Sequence, residues 1–89
     1  MQEIGRDIRV VEMSWPRVQE VKPRLVDYLG SDIWEVRVGL RNRIARVLFS
    51  VEAGGVMLLL DGFIKKTRKT PRHELDLALA RLKKARIDR

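Results

Sequence analysis

Residues 58 to 71, Leu58-Leu59-Leu60-Asp61-Gly62-Phe63-Ile64-Lys65-Lys66-Thr67-Arg68-Lys69-Thr70-Pro71, constrain the fold more than any other stretch. The segment from Val56 to Ile64 is apolar on both faces, the pattern of a central strand covered on each side. It runs straight into a lysine and arginine cluster and then into Thr70-Pro71, which reads as a helix N-cap and first helical position. An apolar scaffold therefore ends where a polyanion can bind.

Upstream the period is two. Trp34, Val36 and Val38 alternate with Glu35 and Arg37, and after the polar turn at residues 39 to 42, Ala45, Val47, Phe49 and Val51 alternate with Arg46 and Ser50. Two antiparallel strands joined by a short hairpin follow from this. Ala53-Gly54-Gly55 supplies residues that tolerate positive φ and returns the chain into the third strand. Downstream of Pro71, Leu75, Ala78, Leu79, Leu82 and Ala85 recur at helical spacing through Arg86, with Lys83, Lys84 and Arg86 near the negative end of the helix dipole. The expected architecture is α+β: a small antiparallel sheet, a three-stranded meander over residues 33 to 66, with a C-terminal helix over 70 to 86.

The first 32 residues are less regular. Ile4, Ile8, Val10 and Val11 among charges fit the last turns of an amphipathic helix interrupted by Gly5. Pro16 and Pro23 forbid a continuous helix beyond it, and Gly30-Ser31-Asp32 marks a turn. Residues 24 to 29 read equally as one helical turn or a short edge strand. With 89 residues the chain suffices for one domain, 1 to 89, whose modest core is marginal on its own.

Charge is distributed unevenly. Residues 1 to 62 carry nine Lys/Arg and nine Asp/Glu, whereas residues 63 to 89 carry ten and three, so the whole net charge of +7 lies in the last 27 residues. Such a field favours nucleic acid or an acidic protein, although a solvated basic face that aids solubility gives the same count. The lack of cysteine excludes disulfides and thiolate metal ligation. No apolar run approaches the length of a membrane span, and the charged start does not read as a secretory signal, so cytoplasmic residence is expected. A single histidine, His73, and carboxylates without ligand spacing give no metal site, and no cofactor is expected.

Alternation also sorts the arginines. If Trp34, Val36 and Val38 face the main core, Arg37 projects from the opposite face, and the same argument places Arg46 opposite Val47 and Phe49. Asp61, Phe63 and Lys65 share a face of the third strand, so one groove can contain Arg37, Arg46, Asp61 and Lys65. The plain alternative is that both arginines are ordinary solvent-facing strand residues. Trp34 reads as a core anchor, Trp15 as a packed cap or an exposed contact, and His73 as a surface residue.

Three segments together, Trp34-Glu35-Val36-Arg37, Arg43-Ile44-Ala45-Arg46-Val47-Leu48-Phe49 and Leu59 through Pro71, resemble the phage-derived HigB-like toxins of the RelE/ParE superfamily over roughly residues 33 to 82. The third is the most specific, a Gly-Phe-apolar-Lys-Lys-Thr-x-Lys-Thr-Pro string leading into a helix with Ala78 and Arg81. The resemblance implies the RelE-like fold and a type II toxin that enters the ribosome and cuts mRNA without metal, by attack of the RNA's own 2′-hydroxyl on the adjacent phosphate. It implies as partners the ribosome, mRNA and a cognate antitoxin, often a helix-turn-helix protein, in a homodimer or a heterotetramer with that antitoxin.

Carried onto this sequence, the resemblance makes Arg37, Arg46, Lys65 and Lys66 candidates for phosphate and transition-state contacts. Arg41, Arg43, Arg68, Lys69 and Arg72 become candidates for RNA backbone. Two departures stand out. Asp61 occupies a position where many relatives have His, and a carboxylate there would accept hydrogen bonds or pair with Lys65. The strand and helices that usually precede residues 1 to 9 in the family are missing, which leaves a sheet edge unpaired. Two other readings stay open: a ParE-like toxin that poisons DNA gyrase, against which the Lys65-Lys66-Thr67 string speaks, and an inactive remnant that binds only nucleic acid or antitoxin.

Overall fold

A computed structural model describes residues 8–9, 11–13, 15–17, 25–65 and 69–88, Lys65 by its backbone alone. The fold is α+β, as expected. Strands β1 (Val26–Gly30), β2 (Ile33–Leu40), β3 (Arg43–Glu52) and β4 (Val56–Lys65) form one antiparallel sheet in the order β1-β2-β3-β4, and helix α1 (Arg72–Ile87) packs on one side. A short helical piece within residues 8 to 13 lies on the other side, with Val11 fully buried.

The sheet has four strands rather than the three read from alternation. The segment left open between helical turn and edge strand is strand β1, paired Val26↔Val36, Asp27↔Glu35 and Tyr28↔Trp34. Its turn into β2 uses Ser31 at φ 52 and Asp32 at φ 66, the paired positive dihedrals that match the twist of a tight hairpin. Tyr28 Oη accepts the Asp32 backbone N–H at 3.1 Å and holds this turn. At the far end of the sheet Gly54 and Gly55, at φ 82 and φ 78, supply the left-handed residues that the β3–β4 connection needs.

A second correction concerns β4. It is an edge strand, not a central one, and its apolar residues divide into a covered set and an uncovered set. Leu58, Leu60 and Phe63 pack toward α1, whereas Val56, Leu59 and Ile64 remain exposed. A register shift opposite Leu48/Phe49 inserts Leu60 into the ladder and turns it onto the helix side.

Two cores result, one on each face of the sheet. Val11, Val26, Val36, Val47 and Phe49 form the first, roofed by Trp15, whose ring meets Trp34 edge-on at 4.6 Å and Phe49 at 5.7 Å. Trp34 and Trp15 are thus packing residues, and His73 is a surface residue. Ile33, Leu48, Leu60, Ala78 and Leu82 form the second, between sheet and α1. Of the apolar positions read into α1, Ala78 and Leu82 are buried and Leu75 packs against them, while Leu79 faces outward.

Arginines fasten the helix. Arg86 Nε and Nη2 bond Glu52 at 3.0 and 3.1 Å, and Nη2 also reaches Asp32 at 3.1 Å, joining α1 to the end of β3 and to the β1–β2 turn. These carboxylates hold the Arg86 guanidinium above its ordinary pKa. Arg81 Nη1 donates to the Leu60 carbonyl at 2.7 Å and lies 3.3 Å from Asp61 Oδ1, which ties α1 to β4.

Leu82→Ala removes a buried side chain from the core between α1 and the sheet, and is expected to cost about 2–5 kcal/mol. Leu79→Ala, on the outer face, is expected to stay within about 1 kcal/mol. Urea unfolding of the two variants checks the contrast.

Candidate functional site

The β2–β3 register places Arg37 directly opposite Arg46, on the face of the sheet that α1 partly covers. Two cations in facing positions repel, and two carboxylates offset them. Arg37 Nη2 donates to Asp27 Oδ2 on β1 at 2.7 Å, and Arg46 Nε stands 3.1 Å from Glu35 Oε1, diagonally across the ladder. Charges of alternating sign therefore cross three adjacent strands.

The two pairs differ in environment. Side chains of Arg37 and Asp27 are each 42% exposed, whereas those of Arg46 and Glu35 are 8% and 1% exposed. Burial pulls the Arg46 pKa below its ordinary value, with the Arg37 charge adding to the effect and Glu35 opposing it. Arginine stays charged through such a shift because its ordinary value is so high. The 3.1 Å contact lies off the N–H direction, and neither Nε nor Nη1 of Arg46 has a hydrogen-bond acceptor among the described residues. A buried guanidinium with unused donors has free capacity for an anion.

Thr70 closes the arrangement from above. Its hydroxyl donates a hydrogen bond to Glu35 Oε2 instead of capping the helix; Pro71 takes the N-cap position and offers no side-chain bond. This corrects the expected Thr70 cap. The hydroxyl hydrogen goes to a buried carboxylate, a strong acceptor, and Thr70 stands one residue ahead of the N-cap position. Asp27, Tyr28, Leu29, Glu35, Arg37, Lys69, Thr70 and Leu75 together line a concavity between the sheet and the chain entering α1.

The sequence candidates distribute as follows. Arg37 and Lys69 line this concavity, and Arg46, opposite Arg37 on β3, lines a separate hollow with Gly62 and Phe63. Arg41 lies in the β2–β3 turn and Arg43 begins β3, both exposed at the hairpin end of the same ladder. Arg72 is exposed and pairs with Asp76 at 3.2 Å one helical turn on. The Lys65 backbone pairs with Ile44, its side chain being outside the described residues, as are Lys66 and Arg68. Asp61 shares the sheet face of Arg37 and Arg46 but does not line the concavity. It sits opposite Leu48 under α1 and accepts from Arg81, in keeping with its expected role as an acceptor. The concavity is also not simply basic, because Asp27 and Glu35 face its cations.

Sequence reasoning passed over Asp27, Glu35 and Thr70. Glu35 carried a usable signal, since it lies two residues from Arg37 in a strand and must share its face. No three His, Cys, Asp or Glu side chains among the described residues stand where they could hold a metal, and none of the described helices is long and apolar enough to cross a membrane.

Residues 1–83 match the family model described as phage derived protein Gp49-like (DUF891). The chain belongs to this family. No curated protein matches it. The Gp49-like match includes both arginines, both carboxylates, Thr70 and most of α1, and it takes in the first 32 residues, which the toxin resemblance over 33 to 82 left out.

Arg46→Ala removes the buried guanidinium beside Glu35 and is expected to destabilise the protein by about 3–5 kcal/mol. Arg37→Ala breaks a half-exposed pair and is expected to cost no more than about 1 kcal/mol. Equal losses in chemical denaturation would contradict the distinction drawn between the two arginines.

Proposed function

We propose that this chain is the toxin of a type II toxin–antitoxin system, acting in the cytoplasm as a metal-independent, ribosome-dependent endoribonuclease on mRNA. The observation that carries the reading is the Arg37–Arg46 pair: two facing guanidinium groups on one sheet surface, one of them buried with unused donors, beside a concavity that also presents Lys69. Membership in a phage-derived family and the +7 charge concentrated after residue 62 support it.

The reaction proposed is transesterification. The ribose 2′-oxygen bonds to the adjacent phosphorus as its proton departs, the bond to the 5′-oxygen breaks, and that oxygen is protonated, leaving a cyclic phosphate and a 5′-hydroxyl. Negative charge grows on the non-bridging oxygens, and fixed cations lower the barrier by meeting it there. Arg46 is held in place by its buried surroundings, and a shift that uncovers its buried Nη1 would bring an unused donor to a phosphate oxygen. Arg37 exchanges Asp27 for phosphate at little cost, because half-exposed ion pairs are weak. Lys65 and Lys66 are assigned to the same phosphate, and Arg41, Arg43, Arg68, Lys69 and Arg72 to RNA backbone. A helix-turn-helix antitoxin is the partner proposed to hold the toxin silent, in a heterotetramer or over a toxin homodimer.

Induced expression in cells tests the reading. Cleavage of translated messages is the expected result, with Arg37→Ala lowering the cleavage rate about a hundredfold or more at unchanged stability. Supercoiling defects without cleavage would move the chain to the gyrase-poisoning branch, and normal growth would make it a binding remnant. RNA affinity is expected to fall steeply and log-linearly with salt, the slope dropping by roughly one for each phosphate-contacting residue removed; a flat salt response would contradict the assignment of the basic cluster.

A further inference from the structure

The outer edge of β4 has a symmetry of its own. Its ten residues form one rim of the sheet with no strand beyond them among the described residues, and a long apolar rim is a template for strand pairing. The register shift opposite Leu48 and Phe49 puts Leu60 and Asp61 on the same side, so alternation is interrupted at that one place. Leu58, Leu60, Asp61 and Phe63 turn toward α1, whereas Met57, Leu59, Gly62 and Ile64 turn to the opposite face. Counted outward from the bond between Leu60 and Asp61, the sides read the same in both directions.

That pattern selects the occupant. A regular strand in phase with one half of β4 is out of phase with the other half, because a one-residue slip reverses every side chain. A second copy laid antiparallel carries the same interruption at the same place, and every opposed pair then keeps to one side. Leu59 meets Gly62 of the partner copy, Met57 meets its Ile64, and Leu58 meets its Phe63. Size matches as well: Leu59 is 56% exposed, and Gly62, which has no side chain, borders a hollow of about 320 Å³ with Val47 and Ile64. Arg46 also borders this hollow but turns its guanidinium to Glu35 on the other face.

We propose that two copies of this chain associate through β4, about a two-fold axis between Leu60 and Asp61, with each Leu59 entering the hollow at Gly62 of the partner copy. The contact is isologous, and it joins the two four-stranded sheets into one. Helix α1 rests on Ile33, Leu48 and Leu60, residues of β2, β3 and β4, so it is centred over β3 and leaves the rim open. The net charge of +7 on each copy opposes association. Antiparallel pairing limits that cost, because the basic segments after Lys65 leave from opposite ends of a ladder roughly 30 Å long, well beyond a Debye length of about 8 Å at physiological salt. The inference goes beyond the ribonuclease reading without depending on it.

Sedimentation equilibrium of the full chain is the first test, and a dimer that tightens as salt rises is the expected result. A Cβ at Gly62 would meet only the Arg46 carbonyl oxygen and Val47 Cγ2, both at 3.9 Å, so the fold accepts a side chain there. Gly62→Val is expected to keep the urea midpoint and to weaken the dimer tenfold or more, and Leu59→Lys to do the same from the other side of the contact. The chain has no cysteine, so the register can be read directly. Opposed residues of an antiparallel pair bring their Cα atoms to about 4.5–5.5 Å, within disulfide reach, and an equimolar mixture of Leu59→Cys and Gly62→Cys is expected to form the mixed disulfide in preference to either homodimer. A monomer at every concentration, dimerisation unchanged in Gly62→Val, or disulfides formed without that preference would overturn the proposal; if Gly62→Val does not fold, Leu59→Lys decides. None of these measurements uses RNA, so a failure here and a failure of the ribonuclease reading are separate results.

Discussion

The contact between Arg46 and Glu35 organises this molecule. Both side chains lie in the middle of the sheet, on the two central strands, where a lone charge would be driven out or neutralised. Their presence fixes the polarity of one whole face, with Thr70 bonding Glu35 from above and the Arg37–Asp27 pair beside them. A sheet face that would otherwise be a second apolar layer becomes half core and half charged surface, with α1 laid over the apolar half.

That division explains how the helix is attached. Its apolar contact is narrow, limited to Ala78, Leu82 and Leu75 against Ile33, Leu48 and Leu60, and polar fastenings make up the difference at both ends. Arg86 secures the last turn to Glu52 and Asp32, Arg81 the middle to β4, and Thr70 the chain just ahead of the first turn. Arg86–Glu52, Arg86–Asp32 and Arg81–Asp61 each join a cation to a carboxylate. Arg81 and Arg86 are thereby committed to holding the structure, whereas Arg37, Lys69 and the exposed hairpin arginines are placed toward the concavity or its rim.

Much of the fold could be read from the chain because strands β2 and β3 alternate cleanly, and that alternation places Arg37 and Arg46 on one surface before any register is known. Strand β1 could not be read with the same certainty, since Val26-Asp27-Tyr28-Leu29-Gly30 is short and its ladder is irregular between Tyr28 and Gly30. Strand β4 misleads for a different reason: an apolar outward face looks identical in sequence whether or not something covers it. Thr70 illustrates the third limit. A hydroxyl before a helix has several acceptors and donors to choose from, and the choice of Glu35 arises from a strand 35 residues away. The counter-carboxylates of the site belong to the same class, because Asp27 meets Arg37 only through the β1–β2 pairing.

The β2–β3 hairpin closes on two residues, Arg41 and Asn42, with Leu40 paired to Arg43. Because side chains reverse at every step along a strand, lengthening or shortening one arm of this hairpin by a single residue would present Arg46 to the Phe49 layer and send Val47 toward the helix. Descendants of this sequence are thus free to gain or lose residues at the Ala53–Gly55 corner or beyond the sheet, while the spacing from Glu35 to Arg46 is locked at eleven.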